Sequence, residues 1–144
     1  MSDEKFTIVR HSGRLIEARV FALWTTQDAD EYGQKMQLVA RALPPNTRPV
    51  LLADHRPVKV YPAAVADRLV ELFTNMNLSL ERAALVVTRN NVPLTLQLQR
   101  LVDAAENSMR RLFPEPRTAV THLQPILTEA ELARAAAFLD EHVG

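Results

Sequence analysis

The stretch Arg48 to Met76, RPVLLADHRPVKVYPAAVADRLVELFTNM, decides the fold. Val50 to Ala53 is a short continuous apolar run, which is typical of a strand covered on both faces. After a polar loop, Pro62 suits the first turn of a helix, and apolar residues then recur at helical spacing as far as Met76. The stretch therefore predicts a buried strand, a loop and an amphipathic helix, around which the rest of the chain can be arranged.

The residues after this unit repeat the same order of elements. Ala83 to Val87 predicts a second buried strand, and the loop Thr88 to Pro93 leads into another helix. The predicted helix buries an apolar stripe that extends to Leu112: Leu94, Leu98, Leu101, Val102, Ala105, Met109 and Leu112. Pro114 and Pro116 are expected to end it.

The last part of the chain predicts one strand and one helix. Thr118-Ala119-Val120 is compatible with a short final strand. Thr128-Glu129-Ala130-Glu131 is a capping box, in which a hydroxyl and a carboxylate bond reciprocally to the backbone at a helix start. We therefore expect a terminal helix that begins next to Thr128.

The N-terminal part predicts two strands and a helix. Phe6 to Arg10 and Leu15 to Leu23 are strand-like and are joined by a Ser-Gly turn, which indicates a hairpin. In the second strand, apolar and polar residues alternate, as in a strand buried on one face only. A helix follows, with a start signal at Thr25 to Asp28 and a stop at Pro44-Pro45.

A hairpin followed by alternating helices and strands implies a mixed sheet with a parallel part. We therefore expect one α/β domain that spans residues 1–144. It should contain about four to five strands and about four α-helices, as in related layered domains.

Composition weakens several classes of function. The chain has 144 residues, 47% of them hydrophobic, and its formal net charge is zero, whereas nucleic-acid binders and polybasic membrane binders usually carry a basic excess. The absence of Cys excludes disulfides, Cys-ligated zinc, iron–sulfur clusters and thiol catalysis. No signal peptide or membrane span is recognisable, so a cytoplasmic location is the default expectation.

No motif in the sequence predicts a cofactor or a metal. With only three glycines the chain has no glycine-rich phosphate-binding loop. The histidines, which are His11, His55, His122 and His142, form no close pair. A histidine-based metal site would require distant residues to converge, so neither a metal nor a cofactor is expected.

The positions of polar residues in the predicted sheet indicate a binding site more clearly than any sequence motif does. Ligands of parallel sheets bind beyond the carboxyl ends of the strands, and two such ends carry polar residues here. The candidate ligand- or partner-binding residues are His55, Arg56, Tyr61, Arg89 and Asn90. Arg89 is the best single candidate, because a guanidinium can bind a carboxylate or phosphate with two hydrogen bonds. Ordinary turn chemistry is the alternative reading of these polar loops.

Asp54 and His55 invite interpretation as a catalytic pair. Adjacent side chains on a strand point to opposite faces, which argues against direct contact between them. We expect Asp54 to bond to backbone amides at the strand end, and His55 to be a loop residue.

Three apolar residues, Leu38, Leu96 and Phe138, fall outside the apolar stripes of their predicted helices. They are candidates for a homodimer contact. A second packing layer is the alternative, and isolated exposed apolar residues are also normal.

The order of elements and the central unit resemble the STAS domain, and more closely the SpoIIAA-like group of small stand-alone bacterial proteins. In STAS proteins the central strand runs into D-[LF]-S-x-V-x-[FY]-[IM]-D-S-[ST]-G, and Asp54, Val58 and Val60 fit this pattern. Pro62, Ala63 and Ala64 stand in place of Asp-Ser-Ser, so the serine that receives phosphate in antagonist proteins has no counterpart.

The resemblance implies a non-enzymatic domain that binds a protein partner or a small ligand. We therefore expect a regulatory or protein-interaction module, capable of self-association and lacking the phosphorylatable serine. The alternative is a binding protein for a small apolar or anionic ligand at the carboxyl edge of the sheet. An enzyme is the least favoured reading.

Overall fold

The computed structural model describes residues 5–76, 80–105 and 109–141. Its strands are β1 (Phe6–Ser12), β2 (Leu15–Val20), β3 (Val50–Asp54), β4 (Arg82–Val86) and β5 (Arg110–Phe113). Its α-helices are α1 (Thr26–Arg41), α2 (Ala63–Met76), α3 (Val92–Ala104), α4 (Pro116–Leu123) and α5 (Glu129–Asp140). A single 3-10 turn, Gln124–Ile126, joins the last two helices. None of the described helices is long and apolar enough to cross a membrane.

The five strands form one mixed sheet in the order β1-β2-β3-β4-β5. Strands β1 and β2 form an antiparallel hairpin, and β2 to β5 run parallel to one another. Each parallel connection contains a helix, as crossover connections require. The predicted α/β class and the mixed sheet are thus confirmed, with five α-helices in place of about four.

The sheet has an apolar core on each face. Helices α1, α2 and α3 cover the first core, and α4 and α5 cover the second. Strand β3 contributes to both, since Leu51 and Ala53 enter the first core while Val50 and Leu52 enter the second. This two-sided burial explains why β3 reads as a continuous apolar run.

The structure corrects the predicted helix that was expected to bury Leu112. Helix α3 ends at Ala104, and Arg110–Phe113 pairs with β4 as the edge strand β5. Residues 106–108 of the predicted helix lie outside the described residues. Backbone hydrogen bonds to the edge of β4 explain why this segment is a strand rather than part of the helix. The Ala83 amide donates to the Met109 carbonyl and the Val87 amide donates to the Phe113 carbonyl, each at 3.0 Å.

The predicted strand Thr118-Ala119-Val120 is also wrong, because these residues lie in α4. Pro116 occupies the first turn of that helix, where its missing amide costs nothing, rather than ending the helix before it. The apolar side of α4 then packs on the second face of the sheet through Ala119 and Leu123.

Strand β2 is buried on both faces, which corrects the expectation of a half-buried strand. Ile16, Ala18 and Val20 enter the first core as the alternation predicts. The opposite face is covered by α5, where Arg134 donates two hydrogen bonds, of 2.8 and 2.9 Å, to the buried carboxylate of Glu17. The polar side of β2 is therefore an internal layer joined by ion pairs.

The hairpin turn is shaped to receive the start of α5. Gly13 adopts φ 54°, a left-handed conformation that suits glycine, and a Cβ there would collide with the carboxylate of Glu131. That carboxylate accepts hydrogen bonds from the Arg14 amide at 2.7 Å and from the Thr128 amide at 2.8 Å. The predicted capping box at Thr128 is thus present, and its glutamate also fixes α5 to the hairpin.

Candidate functional site

The loops that follow β2, β3, β4 and β5 meet at one edge of the sheet, because these strands are parallel. We call this region the carboxyl edge. The loop between β3 and α2 contributes His55, Arg56 and Tyr61, and the loop between β4 and α3 contributes Arg89 and Asn90. All five candidate residues therefore lie at the edge where the sequence placed them.

Asp54, at the end of β3, is the centre of a buried charge cluster. Its carboxylate is 0% exposed and accepts hydrogen bonds from Arg19 Nε at 2.9 Å and from Arg56 Nε at 2.9 Å. The Arg56 amide adds a third at 3.0 Å, so the expected bond from a backbone amide is present. Burial opposes ionisation, but the hydrogen bonds from Arg56 and Arg19 outweigh it and hold the pKa of Asp54 below its usual range.

The two arginines of this cluster connect the sheet to the end of α5. Arg19 Nη2 donates to the Phe138 carbonyl at 2.5 Å, and Arg56 Nη2 donates to the Leu139 carbonyl at 2.7 Å. Arg19 also lies 4.2 Å from the centre of the Phe138 ring, within the range of a cation–π contact. Cations are favourable at a helix C-terminus. Arg56 thus has a structural role in this edge, which the sequence did not indicate.

His55 is a core residue, which corrects its interpretation as a loop residue. It is 1% exposed, and its Nδ1 is 2.7 Å from the hydroxyl of Tyr61, which is also buried. Burial lowers the pKa of His55 to about 4 and raises that of Tyr61. His55 and Asp54 take different hydrogen-bond partners, in agreement with the expectation that they do not pair.

Two side chains that the sequence did not single out hold the loop between β3 and α2 in place. Gln97 exchanges two hydrogen bonds of 2.9 Å with the backbone of Tyr61. Asn91 donates to the carbonyls of Val58 and Lys59 and accepts from the Leu94 amide as the N-cap of α3. An Asn just before a helix with Pro in its first turn is an N-cap signal that could have identified the second of these.

Arg89 and Asn90 are exposed at the tip of their loop. The Arg89 side chain is 68% exposed and forms an ion pair with Glu115, which follows β5. Of the five candidates, these two are accessible to a ligand, whereas His55 and Tyr61 are not accessible without rearrangement of the loop.

Large apolar side chains are exposed shortly after three neighbouring strands at the same edge. They are Phe21 and Trp24 after β2, Val60 after β3 and Val92 after β4, which we call the carboxyl-edge patch. Trp24 is 67% exposed. The sequence patterns did not indicate this patch, although the single Trp of the chain, next to the helix cap Thr25, was an available signal.

The three residues proposed for self-association differ in position. Leu38 and Leu96 are exposed on the outer sides of α1 and α3. Phe138 is 4% exposed in the second core, which corrects its interpretation as a residue outside the apolar stripe of its helix. The reason is that Arg19 and the sheet cover the side of α5 on which Phe138 lies.

No group of three or more His, Asp or Glu residues in the described part of the chain is placed to hold a metal ion. Comparison of the chain with family models, curated proteins and solved structures found no match. The resemblance to STAS domains therefore stays a prediction that rests on the residues quoted above.

Proposed function

We propose that this chain is a non-enzymatic interaction module of the STAS type, which binds a protein partner through its carboxyl edge. The observation that carries the proposal is the carboxyl-edge patch. Apolar side chains that follow three neighbouring strands face solvent there, with Trp24 the most exposed among them. Aromatic residues are enriched at protein interfaces, where they bury large areas with little loss of conformational freedom.

The ionisable groups at the same edge support binding rather than catalysis. The Asp54 carboxylate is occupied by Arg19 and Arg56, which also hold the end of α5. His55 is buried and neutral at pH 7, and Tyr61 is buried against it. A general acid or base has to reach a substrate proton directly or through one water, and these groups face the protein interior.

Charge at the rim indicates the chemistry of the partner. Lys59 is exposed next to Val60 in the chain, and Arg89, three residues before Val92, is exposed and forms an ion pair with Glu115. An apolar surface with basic neighbours is complementary to a segment that presents apolar side chains flanked by carboxylates. We therefore propose a partner with an acidic, amphipathic binding segment.

Binding is expected to be independent of phosphorylation at the position that STAS antagonists use. Ala63 and Ala64 occupy the start of α2 and offer no hydroxyl. Tyr61 is the nearest hydroxyl, and its side chain is buried and bonded to His55. Phosphate at a helix start would gain from the dipole and backbone amides, but there is no accessible group to carry it.

The test compares capture of partners by three forms of the protein. The wild-type chain, Trp24→Ser and Leu38→Ser are immobilised and exposed to lysate of the native host. Leu38→Ser is the matched control, since Leu38 is equally exposed but lies on α1 outside the patch. A partner whose binding is then reconstituted with purified proteins should be retained by wild type and Leu38→Ser and lost by Trp24→Ser. Equal retention by all three forms would reject the proposed surface.

A small anionic or apolar ligand at the same edge is the second candidate function. It is favoured by the exposure of Arg89, whose guanidinium can bind a carboxylate or phosphate. Native mass spectrometry of freshly purified protein should then detect a bound small molecule. Arg89→Ala should reduce its occupancy without changing the melting temperature, and unchanged occupancy would place the ligand elsewhere.

A further inference from the structure

Helix α5 lies on the sheet over a layer of buried charge. Arg134 of α5 donates hydrogen bonds of 2.8 and 2.9 Å to the carboxylate of Glu17 on β2, which is 2% exposed. Near the other end of α5, Arg19 of β2 donates to the Phe138 carbonyl. The apolar residues that α5 buries beside this layer are Ala135, Phe138 and Leu139. The contact between α5 and the sheet therefore combines ion pairs with a small apolar area.

Two helices on the opposite face of the sheet are held differently. The residues that α2 buries are all apolar, and they are Val65, Ala66, Leu69 and Phe73. The same is true of α3, which buries Leu94, Leu98, Leu101 and Val102. Burial of apolar side chains is favourable, whereas the attraction within a buried ion pair is largely offset by the lost hydration of both charges. We therefore expect α5 to separate from the sheet more readily than α2 or α3.

The last turn of α5 is held by two arginines that lie close in sequence to the carboxyl-edge patch. Arg19 and Arg56 donate to backbone carbonyls of this turn at 2.5 and 2.7 Å. Arg19 is two residues before Phe21 of the patch, and Arg56 is four residues before Val60. Both guanidinium groups also bond to the buried Asp54 carboxylate, so the sheet positions them independently of α5. The carboxyl edge thus supplies the contacts that hold the end of α5.

We propose that α5 is a releasable helix, which leaves the sheet as a unit while the sheet and helices α1, α2 and α3 stay folded. Release returns the charges of Glu17 and Arg134 to water, and this hydration offsets part of the packing that is lost. A molecule that takes Arg19 or Arg56 away from α5 shifts the population towards the open form. Release is a property of the free chain, so its test does not need the partner proposed above.

Native-state hydrogen exchange, followed by NMR on the full wild-type chain, tests for release. Amides in the middle of α5, such as those of Ala135 and Ala136, should be protected roughly ten-fold or more weakly than amides in the middle of α2 and α3. In low concentrations of urea the α5 amides should converge on one common degree of protection, because they open together. Exchange of α5 only through global unfolding, or a gradient of protection that decreases towards its end as in simple fraying, would overturn the proposal.

A variant on the opposite face of the sheet tests whether α5 opens separately. Val65→Ala removes buried atoms of α2 from the first core. It should weaken the protection of α2 and α3 by roughly ten-fold, as large-to-small core changes do. Protection of α5 should change by less than about two-fold, because Val65 stays packed when α5 opens. An equal loss of protection in all three helices would mean that the domain opens only as a whole and would overturn the proposal.

Variants of the ion pair test whether buried charge governs release. Arg134→Met leaves the Glu17 carboxylate buried without its partner, so protection of α5 should fall by roughly ten-fold or more. Glu17→Leu combined with Arg134→Met removes both charges and should return protection to within about two-fold of wild type. Arg68→Met, which removes an exposed arginine paired with Asp30, should leave α5 unchanged. A double variant as weakly protected as Arg134→Met would show that buried charge does not govern release, and would overturn the proposal.

Control by the carboxyl edge is tested with two arginines of neighbouring loops. Arg56→Met removes a donor from the last turn of α5, and protection of the whole helix should fall by roughly ten-fold or more. Arg89→Met removes an exposed arginine that does not contact α5 and should leave its protection unchanged. Equal protection of α5 in both variants would overturn the role assigned to the edge.

Discussion

Arg19 and Asp54 are direct neighbours on adjacent parallel strands, and their side chains form a 2.9 Å ion pair on the face of the sheet that α5 covers. The pair is buried, since the carboxylate is fully enclosed and the guanidinium nearly so. Arg19 continues from this pair to the Phe138 ring and carbonyl. One ion pair therefore joins two strands and the last helix at the carboxyl edge.

Asp54→Asn should destabilise the domain strongly, because it leaves the guanidinium groups of Arg19 and Arg56 without their buried counter-charge. Breaking one partner of a buried pair costs about 3–5 kcal/mol in the free energy of unfolding. Urea denaturation of the variant measures the loss. Asp30→Asn is the matched control, because Asp30 pairs with Arg68 on the surface and its removal should cost at most about 1 kcal/mol. Equal losses in the two variants would contradict a structural role for the cluster.

His55 should make the fold sensitive to mild acid. Burial lowers its pKa to about 4 from an unfolded value near 6.5, so the unfolded chain binds the proton more readily. The stabilisation is complete above pH 6.5 and is lost as the pH falls to 4, amounting to about 3 kcal/mol. Denaturation as a function of pH measures it.

His55→Phe serves as the comparison for that pH profile. The variant should be less stable at pH 7 but should lose less stability between pH 6.5 and 4. The pKa of His122 is also lowered by burial, so the difference between the two profiles, rather than either profile alone, reports on His55. Parallel profiles would show that His55 does not titrate in this window.

Leu85→Ala should reveal how tightly the first core is packed. Leu85 is buried in β4 and loses most of its side chain in the variant, which should cost about 2–5 kcal/mol. Leu38→Ala removes the same atoms from an exposed position and should change stability by less than about 0.5 kcal/mol. Chemical denaturation of both variants measures the change in the free energy of unfolding. A small decrease for Leu85→Ala would place β4 outside the core.

Self-association should depend on the outer helix faces. Leu38 and Leu96 are exposed on α1 and α3, and a net charge of zero provides little long-range repulsion. Sedimentation velocity at micromolar concentrations should detect a dimer of wild type. Leu38→Glu combined with Leu96→Glu should shift it to monomer, while Val9→Glu on β1 should not. A wild-type protein that stays monomeric over a wide concentration range would leave both leucines as ordinary surface residues.

Local patterns predicted those elements whose signals are complete within a few residues. The apolar run of β3, the Ser-Gly turn of the hairpin, the helix start signal at Thr25 to Asp28 and the capping box at Thr128 each indicated the observed structure. The placement of the candidate residues at one edge of the sheet also followed from the sequence, because parallel strands place their following loops at one edge. Arg89 and Asn90 are accessible there.

The secondary-structure predictions failed where the local sequence fits a helix and a strand almost equally well. Leu112 fits the helical spacing that begins at Leu94, but it also lies in a short segment that can pair with the open edge of β4. Periodicity does not weigh the backbone hydrogen bonds that a neighbouring strand offers. The prediction of a strand at Thr118–Val120 failed for the same reason. The helix α4 is stabilised by the apolar surface of the sheet that it covers, and the residues of α4 by themselves do not reveal that surface.

The sequence by itself determined the α/β class, the order of most elements and the absence of cysteine chemistry, because these depend on composition and on patterns within single elements. Three features were decided by the tertiary structure alone. Glu17 is buried against Arg134, 117 residues away. His55 turns into the core towards Tyr61, and Trp24 remains exposed. The physical reason is that burial and pKa depend on which distant surface covers a side chain, and that surface exists only after the sheet and helices have packed together.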